Sequence, residues 1–230
     1  MDQTKVDCII PIFNEGRRVL SVVNQLRRVD RIDQIICVDD GSTDSTSNIL
    51  TTLDQYPDIV IVQHQLNQGK CAAVKTGLQQ TKQSLILLVD ADLQKLNAME
   101  IDQALSLFLK RDQLDMLLFK RKDEVMISRI FRFNSVFTGE RVLKRQDLNR
   151  VMDSMPDKYQ LETAINYYMR KNHKSVACYN YSALNTHKPS KDTLFSALRR
   201  ELEMYSDMLR FAGPAELLIQ LAFFAREHLN

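Results

Sequence analysis

Two carboxylates one residue apart stand in Asp90-Ala91-Asp92, directly after the aliphatic run Leu85-Ile86-Leu87-Leu88-Val89, and Gln94 follows two positions later. Acids this close disfavour each other's charge unless a cation offsets it. Carboxylate and amide oxygens suit Mg²⁺ or Mn²⁺, hard ions that keep coordination positions open for phosphate. Alone, the motif reads more simply as two solvated loop acids, one of them capping the next helix. Three neighbouring clusters change that balance. In Val38-Asp39-Asp40-Gly41-Ser42-Thr43-Asp44, Gly41 permits a turn and Ser42, Thr43 or Asp44 can cap a helix. Capping leaves Asp39-Asp40 unexplained, and such acids can hydrogen-bond a nucleotide's base and ribose. Pro11-Ile12-Phe13-Asn14-Glu15-Gly16 carries a further acid after an apolar run, and Asn67-Gln68-Gly69-Lys70 opens a helical pattern. The free N–H groups of that helix start, with the Lys70 ammonium, suit an anion.

The elements that must position these clusters follow from periodicity. Continuous aliphatic runs at 6–11, 35–38, 59–62, 85–89 and 116–119 read as strands. They alternate with amphipathic patterns over 15–28, 45–53, 70–80 and 98–109, which read as helices. This is an α/β architecture with a mostly parallel central sheet covered on both faces. In such sheets ligands bind beyond the carboxyl ends of the strands, which is where all four clusters fall. The second half is less regular: helices are expected over 159–171 and 193–210, a strand over 175–183, and a last helix of about 15 residues after Gly213-Pro214. Residues 110–150 hold 11 Lys+Arg against 6 Asp+Glu. No linker separates independent domains, so residues 1–120 are expected to form a nucleotide-sugar half and 121–230 an acceptor-side half of one continuous domain.

Composition sets the bounds. Of the 230 residues 44% are hydrophobic, enough for one substantial core and too many for a disordered chain. A formal net charge of +2 argues against a protein built to coat nucleic acid. Cys8, Cys37, Cys71 and Cys178 form no CxxC pair and read as buried thiols rather than a zinc site or disulfide framework. No signal peptide or membrane-spanning stretch is present, so a cytoplasmic protein is expected.

Taken together, Pro11-x-x-Asn14-Glu15, Val38 through Asp44, Asn67-x-Gly69-Lys70-x-x-Ala73 and Asp90-Ala91-Asp92 resemble the inverting glycosyltransferase family 2, which has the Rossmann-like GT-A fold. The donor motifs are most similar to those of polyprenyl-phosphate mannose or glucose synthases. The resemblance implies a metal held by Asp90, Asp92 and Gln94, and a nucleoside flanked by Pro11, Phe13, Glu15, Val38 and Asp40, with Lys70 and Ala91 also on the donor side. Arg121 keeps the arginine of a Gly-Ser-Arg motif, with Phe119 and Lys120 replacing the other two residues. Thr138-Gly139-Glu140-Arg141 is similar to Ser-Gly-Phe-Arg, Tyr159-Gln160-Leu161-Glu162 to Tyr-Gly-Phe-Glu, and His187-Lys188-Pro189-Ser190-Lys191 to a basic loop ending in Ser-Lys. Only 16 residues separate Arg121 from Thr138, fewer than in the polyprenyl-phosphate enzymes. Members with small soluble acceptors share the donor site.

The chemistry these residues would support is transfer from a UDP- or GDP-sugar. Asp92 with the metal, and Arg121, Arg141 and Lys191 as cations, would offset charge on the departing diphosphate. Glu162 is the candidate base for a hydroxyl acceptor; a phosphate acceptor needs none. The plainer alternatives are a helix acid for Glu162, surface ion pairs for the two arginines, and solvated loop residues for His187, Lys188 and Lys191. Leu217, Leu218, Leu221, Phe223 and Phe224, like Ile130, Phe131, Phe133, Val136 and Phe137, would pack on the core or a homodimer partner, or else touch a membrane peripherally. Two rival functions are a nucleotidyltransferase, which should show a basic Gly-rich loop after the first strand, and a non-catalytic nucleotide- or glycan-binding module, which usually lacks the intact carboxylate pair.

Overall fold

A computed structural model describes residues 4–121, 136–154, 161–185, 213–225 and 227–229. The run Ile35-Ile36-Cys37-Val38 shows how the fold begins. Ile35 and Cys37 pack with one apolar cluster while Ile36 and Val38 pack with the other, so the strand is buried on both faces. Strands of this kind build the expected parallel sheet: β1 (Val6–Ile12), β2 (Ile32–Asp39), β3 (Ile59–Gln63) and β4 (Leu85–Leu88), with β2 beside β1 and β3, and β1 beside β4, all in parallel. A two-residue strand, β5 (Leu93–Gln94), lies outside the main sheet.

The second half extends the same sheet. β6 (Met116–Arg121) and β8 (Val176–Tyr181) are parallel, and β10 (Glu227–His228) adds to β8 at the edge. Between β4 and β6 runs β7 (Arg141–Lys144), antiparallel to both. The order across the eight strands is β10-β8-β6-β7-β4-β1-β2-β3, and β9 (Leu184–Asn185) pairs only with β5. Neither β7 nor β10 was expected from periodicity.

Helices cover both faces. On one, α1 (Arg18–Leu26) buries Val19, Val22, Val23 and Leu26, and α4 (Ala98–Leu109) buries Ile101, Ala104, Leu105 and Phe108. Between them in the chain lie α2 (Thr46–Thr51) and α3 (Lys70–Gln80). The other face is covered by α3 with α5 (Arg145–Ser154) and α6 (Leu161–Lys171). The last helix, α7 (Pro214–Phe223), is ten residues long rather than about 15. It docks through buried Leu217 and Gln220 and through Glu216, which receives a 2.8 Å hydrogen bond from Arg170 of α6, while Leu218 stays 66% exposed. The expected apolar stripe is therefore split between core and solvent. No helix among the described residues is long and apolar enough to cross a membrane. Cys8, Cys37 and Cys178 are buried free thiols, and burial pushes Cys37 up to about 12. The expected helix at 193–210 and the aromatic stripe at 130–133 lie outside the described residues.

Candidate active site

The carboxyl ends of β1, β2 and β4 open on a cavity of about 680 Å³. Its floor begins with two interlocked loops. Asn14 follows β1 with φ +55°, a conformation asparagine tolerates better than most residues. Its backbone N–H donates to Ser42 Oγ at 2.9 Å, and its side-chain oxygen accepts the Thr43 N–H at 2.8 Å. Asp39 is spent on the same turn: its Oδ1 accepts the Ser42 N–H at 3.0 Å and its Oδ2 the Ser47 hydroxyl. Thus Asp39 is structural, and Asp40 alone of that pair lines the cavity.

Asp40 is 3% exposed and fully engaged with the segment before α3. It accepts N–H groups from Gln68 at 3.0 Å and Gly69 at 2.7 Å, and the His64 imidazole lies 2.7 Å away. That segment crosses directly over Gly41, whose φ is +70° and where an added Cβ would meet the Leu66 backbone at 2.5 Å. Only glycine lets the two loops touch.

The segment delivers Lys70 to the cavity wall, where its Nζ donates to Asp90 Oδ1 and to Glu162 Oε1, each at 2.7 Å. Glu162 is thereby placed opposite the β4 carboxylates rather than out in solvent on the first turn of α6. Burial alone would lower the Lys70 pKa, but the two carboxylates outweigh it and raise the ammonium above the ordinary lysine value. Burial likewise opposes ionisation of Asp90, and Lys70, helped by Arg121 and Arg141, holds its carboxyl below the usual range.

The register of β7 explains what lies behind Asp90. Leu88 pairs with Arg141, so residues 138–140 run beside Val89 and Asp90. A Cβ at Gly139 would overlap the Asp90 carboxylate, so glycine is what admits that side chain. Arg141 is wholly buried and donates to the Thr138 carbonyl and, at 3.1 Å, to Asn166 Oδ1. Arg121 is 12% exposed at its side chain and lies 3.5 Å from Glu140, itself buried. Both arginines act electrostatically on Asp90 from the protein side, and neither lines the cavity. This corrects the expectation that they face the departing diphosphate.

Pro11, Phe13, Glu15, Asp40, Lys70, Asp90, Ala91, Asp92 and Glu162 all line the one cavity. Two expected residues do not. Val38 is fully buried in the core beneath α3, because alternation along β2 turns it to that face. Gln94 is exposed on β5, whose backbone pairs with β9, and takes no part in the wall. Lys191, His187, Lys188, Tyr159 and Gln160 lie outside the described residues. Sequence reasoning missed His64 and Glu140. His64 stands directly after β3 on the same carboxyl edge as the acids, and Glu140 is an acid where the resembled motif has Phe.

The wall is acidic. Among the described residues lining it there are five carboxylates (Glu15, Asp40, Asp90, Asp92 and Glu162) and one ammonium, Lys70. No group of three or more His, Cys, Asp or Glu among the described residues forms a closed metal cage. Asp90 and Asp92 offer hard oxygens and leave room for further ones, which fits a Mg²⁺ or Mn²⁺ completed by phosphate.

The model of the Glycosyl transferase family 2 matches residues 7–186. Undecaprenyl-phosphate 4-deoxy-4-formamido-L-arabinose transferases of Yersinia pestis (strain Pestoides F) and Yersinia pseudotuberculosis serotype I (strain IP32953) are each 33% identical over 96 residues. That stretch is 39% of this chain and 29% of those curated relatives, so less than a third of their length is matched. Glucosyl-3-phosphoglycerate synthase from Mycobacterium tuberculosis, solved with Mn²⁺, uridine-diphosphate and glucosyl-3-phosphoglycerate, aligns with a TM-score of 0.69 at 16% identity. The alignment covers 95% of this chain and 80% of that one. The same enzyme solved with Mg²⁺ and uridine-diphosphate gives 0.68 at 17% identity, over 95% and 79% of the two chains. The shared fold is the GT-A fold, and with the family match running over most of its length the chain belongs to glycosyltransferase family 2.

Proposed function

We propose that the protein is a metal-dependent, inverting glycosyltransferase that moves a sugar from a nucleotide-diphospho-sugar to an acceptor reached past Glu162. The carrying observation is the charge of the cavity, five carboxylates against one ammonium. A diphosphate would be repelled from such a wall unless a cation stood between them. The ions bound by the structural neighbours, Mn²⁺ and Mg²⁺ beside uridine-diphosphate, support the same reading.

The residues divide the work by position. Phe13, 40% exposed at the rim, and Asp40 receive the nucleoside, while Asp90 and Asp92 would hold the divalent cation. That ion, when bound, supplies the positive charge that the departing diphosphate requires. Arg121 and Arg141, buried behind Asp90, keep its carboxyl ionised and ready as a ligand. Lys70 fixes Glu162 as an oriented carboxylate. The acceptor oxygen bonds to the anomeric carbon from the face opposite the diphosphate, the carbon–oxygen bond to the diphosphate breaks, and its electron pair leaves with the phosphate. A hydroxyl acceptor gives its proton to Glu162. The curated relatives are named for an undecaprenyl-phosphate, whereas structural neighbours were solved with phosphoglyceric acid. Both kinds of acceptor, a phosphate and a hydroxyl, are therefore to be tested.

The direct test measures nucleoside diphosphate released from UDP- and GDP-sugars in Mn²⁺ and again after chelation. Release in Mn²⁺ that falls by about 100-fold or more on chelation is expected. An equal rate in both conditions would remove the metal from the reaction.

A further inference from the structure

We infer that His64 is a positioning residue that sets base preference, by leaving Asp40 one open acceptor direction in the cavity and so favouring uracil over guanine. The inference rests on the donor reading above. His64 is held from both sides. Its backbone N–H donates to the Asp39 carbonyl at 2.8 Å, extending the β2–β3 pairing by one step. Its Nε2 meets Thr76 Oγ1 of α3 at 2.9 Å, and Nδ1 lies 2.7 Å from Asp40 Oδ1. An ionised carboxylate only accepts, so Nδ1 carries the hydrogen toward Asp40. The two side chains are 8% and 4% exposed, so water contributes little to this pairing.

A carboxylate has about four acceptor directions, two on each oxygen. Oδ1 of Asp40 takes His64 Nδ1–H and the Gln68 N–H, and is filled. Oδ2 takes the Gly69 N–H and keeps one direction. Uracil offers a single ring N–H between two carbonyls, which matches one open acceptor. Guanine offers a ring N–H and an adjacent amino group side by side, a pair that needs both oxygens of one carboxylate. With Oδ1 filled by His64, guanine's second donor would lose its water without gaining a partner. A lost partner of that kind is worth roughly tenfold or more in affinity. His64 thus acts through Asp40, without itself touching the nucleotide.

The test is calorimetric titration of the full chain with UDP and with GDP in Mn²⁺. The wild-type protein is expected to bind UDP about tenfold or more tighter than GDP. His64→Phe keeps a ring of similar size but no donor. It should weaken UDP severalfold and bring the UDP/GDP ratio close to one, because Oδ1 then becomes open to guanine. His64→Asn, whose amide can supply the same N–H, should restore much of the ratio. Thr76→Val, a milder change that removes only the Nε2 partner, should narrow the ratio in the same direction should His64→Phe fail to fold. A purely structural role for His64 would lower the thermal midpoint without moving the ratio. A wild-type preference for GDP, equal binding of the two, or a ratio unchanged in the folded variants would overturn the inference while leaving the donor reading intact. Failure of the wild-type protein to bind either nucleotide would overturn both.

Discussion

The Asp92→Asn variant is expected to lose about 10³-fold in sugar-transfer turnover while folding like the parent. Asp92 sits half-buried on the cavity wall beyond β4, apart from the apolar clusters, so an isosteric amide costs the core nothing. What it removes is one of two anionic oxygen ligands, and with it the cation's hold at the point where the diphosphate gains charge. Asp90 is a less clean target, because Asp90 also anchors Lys70 at 2.7 Å and stands against Gly139 and the two buried arginines. Its replacement would disturb the wall as well as the ligand. The measurement is steady-state turnover across a Mn²⁺ series, paired with a thermal midpoint. Partial recovery at high Mn²⁺ with an unchanged midpoint supports a ligand role. Turnover within tenfold of the parent at ordinary Mn²⁺ would dismiss it.

Glu162→Gln is expected to split by acceptor. With a hydroxyl acceptor the loss should be about 10²-fold or more, since proton removal by a placed carboxylate contributes that much. With a phosphate acceptor, already ionised, the loss should stay within about fivefold, reflecting only the weaker grip on Lys70. The geometry makes this contrast sharp. Glu162 and Asp90 share one ammonium, so the amide leaves Lys70 tied to Asp90 and the donor side little changed. Comparing kcat for the two acceptor classes checks it. Equal losses for both would mean that Glu162 orients Lys70 and takes no proton.

The parallel half of the sheet was readable because each of its strands carries its own signal. Runs such as Ile35 to Val38 are apolar on both faces, and polar clusters after them mark the carboxyl edge. The same logic brought Glu15, Asp40, Lys70, Asp90, Asp92 and Glu162 to one cavity. What stayed hidden depends on partners far away in the chain. Arg141-Val142-Leu143-Lys144 has no strong periodicity, and it is a strand because β4 and β6 leave a space between them that it fills. That placement buries Arg141 completely, whereas an arginine beside a basic stretch reads as a surface cation. Val38 shows the opposite limit. A motif names it beside the nucleoside, yet strand alternation sends its side chain to the core. His64 went unnoticed for a third reason: its role is visible only once Asp40 and Thr76 are seen on either side of it.

The most direct measurement is an anomalous difference map at the manganese edge from crystals soaked with MnCl₂ and UDP. One peak is expected in contact with the carboxylates of both Asp90 and Asp92 and with the diphosphate oxygens. A nucleotide seated in the cavity with no manganese at those two side chains would contradict the account.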